Sequence, residues 1–139
     1  MRNISIKGVV SGTALGLLLD LLSGVTLTFI LGQSAFSPGV NEAEVQRTLA
    51  EISHAAPFLF GSLVLGSLST VAGGYVGARI AKRLPYMNSA AVGVVGLVLG
   101  AFLADGTLPL WFNLLGFASV LPMALVGGHV AKRHQETDA

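Results

Sequence analysis

Apolar residues in this chain run in long unbroken blocks, and charged residues are confined to the gaps between them. Between Lys7 and Glu42 the only ionisable side chain is Asp20. Further blocks free of acids and bases lie between His54 and Arg79, between Arg83 and Asp105, and between Asp105 and His129. A helix needs about 20 apolar residues to cross roughly 30 Å of hydrocarbon. The pattern therefore predicts four spans, over residues 9–31, 57–79, 88–105 and 108–131.

The gap between the first two blocks has a different period. Asn41 and Glu44 have the spacing of an N-cap and its N3 partner. Val45, Leu49 and Ile52 then recur at i, i+4 and i+7, with Glu44, Arg47 and Glu51 elsewhere on the wheel. Pro38-Gly39 and Pro57 set its limits. A short amphipathic helix is expected at 42–54, as an interfacial float, a lid over an external opening or a partner-docking element. The expected fold is all-α and integral to the membrane: one domain over 1–139, with four transmembrane helices in two antiparallel hairpins plus that external helix.

Composition supports the bilayer as solvent. The 139 residues are 53% hydrophobic and 11% charged, whereas soluble domains are about 25% charged. With no cysteine, disulfides, thiolate metal sites and cysteine nucleophiles are all excluded. A net charge of +1 gives no global field to recruit nucleic acid. Arg2 and Lys7 before the first block would also suit a signal peptide with a loose cleavage site at Gly32–Ala35. A run of 23 residues with a carboxylate at its middle favours a span.

The cations are clustered. Arg2 and Lys7, then Arg79, Lys82 and Arg83, then Lys132 and Arg133 all fall on one side of a four-span topology. The opposite side holds Glu42, Glu44, Glu51 and Asp105 against Arg47 alone. The positive-inside rule then puts both termini and the middle loop in the cytoplasm. Arg79, Lys82, Arg83, Lys132 and Arg133 are candidate contacts for anionic lipid headgroups. The partners expected are the lipid bilayer and a homo-oligomer or larger membrane complex.

A weak internal repeat pairs the ends of spans two and four, Gly73–Arg83 (GGYVGARIAKR) with Gly127–Arg133 (GGHVAKR). Spans one and three share LGLLLD at Leu15–Asp20 and LGAFLAD at Leu99–Asp105. Either a duplication or simple convergence of small-then-basic span ends accounts for this. Residues Gly73, Gly74, Tyr75, Val76, Gly77, Ala78 and Arg79 resemble the GGYVAAR-like end of the second span in a family of uncharacterised bacterial four-span membrane proteins. That resemblance covers mainly spans two and three; it implies a bacterial cytoplasmic (inner) membrane location and no catalytic residues.

Small residues recur every fourth position. Span one has Gly8, Gly12, Gly16, Asp20, Gly24, Thr28, Gly32, and span two has Ser62, Gly66, Thr70, Gly74, Ala78. Thinner rows are Gly96, Gly100, Ala104 in span three and Ala124, Gly128 in span four. Such rows let helix backbones approach where lipid supplies no hydrophobic drive. Asp20 therefore stands on a packing face. It lies 13 residues past Lys7, and counting 13 back from Arg79 reaches Gly66. Ser67, Ser69 and Thr70 are the polar neighbours expected at that depth. A charged carboxylate at mid-bilayer costs about 3 kcal/mol or more on insertion scales. Two readings of the site (Asp20, Ser67, Ser69, Thr70) stay open. Either a protonated Asp20 locks spans one and two together, or the carboxylate serves a proton or cation path.

Other polar residues carry less. Trp111 and Asn113 suit an interfacial anchor, Pro122 a bend, and His129 an interfacial position. His54, His129 and His134 have no ligand spacing with a carboxylate. No catalytic constellation, cofactor loop or metal motif stands out, so an enzyme is not expected. The expectation is an accessory or structural membrane subunit packing through its small-residue faces. The alternative is a small homo-oligomeric ion- or proton-coupled transporter or channel using Asp20.

Overall fold

The computed structural model describes residues 4–104 and 106–137; Arg2 and Asp105, assigned above to the two sides of the membrane, lie outside them. The order is α1 (Ile6–Leu31), a 3₁₀ turn (Gln33–Phe36), α2 (Glu42–Ser53), α3 (Ala56–Ala81), α4 (Pro85–Leu103) and α5 (Leu110–Thr137). All of α1, α3, α4 and α5 are long and apolar enough to cross a membrane. Their outer faces carry large apolar side chains in the open, such as Leu21, Phe29, Val64 and Leu68, each 60% exposed or more. Water would penalise such a surface heavily. This is a multi-pass membrane protein.

Helix ends follow local chemistry rather than the hydrocarbon edge. Ser5 Oγ accepts the Gly8 N–H at 3.2 Å, so α1 starts three residues before the predicted span. Pro85 occupies the first turn of α4, where its missing N–H costs nothing. Nothing breaks α5 at the end of its apolar stretch, and the pair Lys132–Glu136 (3.6 Å) supports its polar last turns. In α2 the capping box forms: Glu44 N–H donates to Asn41 Oδ1 at 3.0 Å and Asn41 N–H to Glu44 Oε2 at 3.2 Å. Val45, Leu49 and Ile52 are half-buried there, while Glu44, Arg47 and Glu51 are exposed.

α3 is the central helix, packed against α1, α4 and α5, whereas α1 and α4 meet more lightly. Its pairing with α1 is antiparallel, Gly8 opposite Gly77, Gly12 opposite Gly73, and Gly16 opposite Ser69. Its pairing with α5 is parallel, from Phe60 beside Trp111 to Ala78, whose carbonyl accepts from Gln135 Nε2 at 3.1 Å. The core is made of small residues: Ala78, Ala124 and Ala131 are fully buried, as are Asn88 and Ser89.

The two glycine pairs of the repeat have the same job. Gly73 meets α1 at Gly12, and the next residue, Gly74, meets α5 at Ala124. Likewise Gly127 meets α3 at Val71 and Tyr75, and Gly128 meets α4 at Ser89. Adjacent helix residues point about 100° apart, so a Gly-Gly pair lets one helix approach two neighbours at one level.

Candidate functional site

The closest approach of helix backbones to one another is in the half of the bundle with the basic residues. A β-carbon added at Gly8 would stand 2.5 Å from the Gly77 carbonyl oxygen, and one at Gly77 would stand 2.7 Å from Val92 Cγ2. Toward the other end the same spacing of glycines leaves room. A β-carbon at Gly96 would find its nearest neighbour at 3.9 Å, one at Gly116 at 4.0 Å, and one at Gly24 nothing within 4 Å. The helices splay there and enclose a cavity of about 350 Å³ between α1, α3, α4 and α5. Volumes of this order hold small ligands.

Polar groups gather on the α1 and α3 walls of that cavity. Thr13 and Asp20 come from α1, seven residues and two turns apart on one face, and Ser69 and Thr70 come from α3. Asp20 is directly across from Gly66, where an added β-carbon would be 3.1 Å from its Oδ1. Two helices of fixed rise, antiparallel and in register, put equal counts from Lys7 and Arg79 at the same level.

Ser69 Oγ donates to the Leu65 carbonyl and Thr70 Oγ1 to the Gly66 carbonyl, each at 2.9 Å. Both hydroxyl protons are thus spent within α3, as is common for Ser and Thr in apolar helices. Both residues line the cavity, and their oxygens keep lone pairs that can accept. Asp20 makes no hydrogen bond or ion pair with any described residue. Ser67 is elsewhere, between Leu63 and Val71, the residues that meet α5 at Gly116 and Gly127, and it does not line the cavity.

Three polar residues escaped the sequence reading. Thr13 is 8% exposed, lines the cavity, and its Oγ1 is buried without a partner. Its place two turns from Asp20 was a usable signal. Asn88, fully buried, accepts the Ser5 N–H at 2.8 Å and donates to the Arg83 and Leu84 carbonyls at 2.9 and 3.1 Å. Ser89, also fully buried, donates to the Tyr86 carbonyl at 3.0 Å. Asn113, read as an anchor, lines the cavity near its outer end and donates to the Leu108 carbonyl at 3.2 Å.

The basic residues collect at the opposite end. Arg79, Lys82, Arg83, Lys132 and Arg133 are all exposed around the α3–α4 turn and the end of α5. Lys132 Nζ is 5.8 Å above the Tyr86 ring, and Tyr86 Oη is 2.7 Å from His129 Nδ1. His134 Nδ1 is 3.3 Å from Tyr75 Oη, and His54 Nε2 is 3.0 Å from the Thr107 carbonyl oxygen. Among the described residues no three histidine or carboxylate side chains converge as a metal site.

Neither a protein-family model, nor a curated protein, nor a solved structure matches this chain.

Proposed function

We propose that this protein is a small cation carrier of the bacterial cytoplasmic membrane, working as a homo-oligomer and using Asp20 to bind its cation in exchange for a proton. The observation that carries this reading is the cavity, which Asp20, a carboxylate with no partner among the described residues, lines together with Thr13, Ser69 and Thr70. A carboxylate without a partner within a membrane span is costly. A cation or a proton on Asp20, with oxygens around it, relieves that cost. An ionisable residue within a span marks a functional site by default.

An accessory subunit held to a partner by its small-residue rows is less well supported. Those rows are largely used inside the chain, Gly8, Gly12 and Gly16 against α3, and Gly74 against α5.

In this reading the four helices form two antiparallel hairpins, α1 with α3 and α4 with α5, with both termini cytoplasmic. The helix α2 lies on the outer membrane surface by its Val45, Leu49 and Ile52 face. Arg79, Lys82, Arg83, Lys132 and Arg133 contact anionic headgroups on the cytoplasmic leaflet.

The test is flux in proteoliposomes across inorganic cations and small amines, for wild type, Asp20→Asn and Thr13→Val. Asp20→Asn is expected to lose affinity roughly ten- to hundredfold, the worth of one charge-assisted contact. Thr13→Val, close in shape, is expected to weaken binding by a smaller factor. Equal fluxes in wild type and Asp20→Asn for every cation would overturn the proposal.

A further inference from the structure

The inner cavity has a neighbour. A groove of about 720 Å³ runs along the outward half of α1, lined by Gly24, Val25, Thr28 and Phe29, with Phe36 of the 3₁₀ turn at its far end. Leu17, Asp20 and Leu103 line both spaces. Asp20 is therefore at the junction of the chamber inside the bundle and a largely apolar groove on its flank. The junction follows the seam between α1 and α4, where packing is lighter than between α1 and α3. Leu17, Leu21 and Leu103 flank the carboxylate there, and Gly24 leaves the groove open beyond it.

The geometry points to an amphiphilic cation as the ligand, entering sideways from the membrane through the α1–α4 seam, its charged head on Asp20 and its apolar tail along Gly24, Val25, Phe29 and Phe36. This rests on the reading of Asp20 as a cation site and adds the class of ligand and its route. Charge complementarity selects the occupant, because a groove lined by apolar side chains ends on a carboxylate rather than on a cation. Lipid tails are as apolar as leucine, so a tail exchanges bilayer for groove at little net free energy. Selection then falls to the head. A neutral amphiphile gains nothing at Asp20, while a cation gains a partner in a medium where opposite charges attract strongly.

The experiment uses the full chain in vesicles of neutral phosphatidylcholine. The probe is dodecyltrimethylammonium with a photoreactive diazirine at the tail end, and adducts are mapped by mass spectrometry. Adducts are expected on the segment Gly24–Phe36, competed by tetramethylammonium and reduced roughly tenfold in Asp20→Asn. Gly24→Leu, which puts a side chain into open groove, is expected to lose the tail adducts while keeping its helical circular dichroism. Equal labelling by a neutral diazirine-bearing dodecanol would overturn the inference by making the groove an acyl-chain slot. So would copy-to-copy cross-linking of Val25→Cys with no probe adduct, which would make it an interface between two chains. If tetramethylammonium binds wild type but labelling ignores charge, only the lateral route fails. If tetramethylammonium does not bind at all, the cation site itself falls, and the inference with it.

Discussion

Asn88 engages three of its hydrogen-bonding positions at the junction of α1, α3 and α4. The turn it holds is an unfavourable one, since Lys82 and Leu84 adopt left-handed backbone angles, φ 56° and 49°, without being glycine. Leu84 is further restricted by Pro85 behind it. The Asn88 amide takes the Arg83 carbonyl at the turn and adds a second donor to the Leu84 carbonyl, which also accepts the Asn88 backbone N–H at 3.1 Å. Replacing the side chain strands the Ser5 N–H and the Arg83 carbonyl together. Asn88→Leu is expected to destabilise the protein by about 2–4 kcal/mol, at about 1–3 kcal/mol per buried group left unpaired with partial relief by water at the turn. Thermal unfolding in mild detergent measures this, and an unchanged midpoint would show that the turn holds without the amide. The sequence reading took residue 88 as the edge of a span, and so passed over the polar side chain that the turn depends on.

Glycines with one spacing serve two purposes at the level of the helix, and stability separates them. At Gly12 a β-carbon would press on the Gly73 carbonyl and stand 2.9 Å from Val92 Cγ2; at Gly74 it would press on the Ala124 carbonyl. Gly12→Ala and Gly74→Ala gain about 1 kcal/mol in helix propensity but meet backbone that cannot move aside. Overpacking of this kind costs about 1–3 kcal/mol, so each variant is expected to unfold earlier than wild type. Gly96→Leu and Gly116→Leu extend into open cavity instead, since their nearest neighbours are 3.9 and 4.0 Å from an added β-carbon. Those variants are expected to keep the wild-type unfolding midpoint and lose cation flux; loss of fold with each would place the glycines in the packing class. The rows themselves were legible in the sequence, as was the level of Asp20 opposite Gly66, because helical rise and antiparallel pairing fix both. Which glycines touch a neighbour was not legible. It depends on how far the helices splay, and the spacing of one helix holds no record of that. Ser67 was misplaced for a related reason, since a count of depth gives no azimuth around α3.

For the whole molecule, the two ends of the bundle differ in charge and in packing together. The start of α1 is tied to α4 through Ser5 and Asn88, the α3–α4 turn and the end of α5 lie beside them, and Lys7, Lys82, Arg83, Lys132 and Arg133 are exposed on that end. The cavity reaches the other way, toward Leu108 and Asn113. Orientation therefore decides which compartment the cavity faces. In the proposed orientation, with basic loops retained in the cytoplasm, the tight end faces in and the open end faces out, and a cation would meet Asp20 from the outer half of the membrane. The chain has no cysteine, so single substitutions report without background. Glu44→Cys in α2 and Glu136→Cys near the end of α5 are both exposed positions that perturb no buried contact. A membrane-impermeant maleimide is expected to label the Glu44 position in intact cells and the Glu136 position only after permeabilisation. The reverse result would turn the cavity toward the cytoplasm and make Asp20 a site loaded from inside. Labelling of both positions in intact cells would require two opposite orientations of the same chain, and the one-sided placement of its lysines and arginines argues against that outcome.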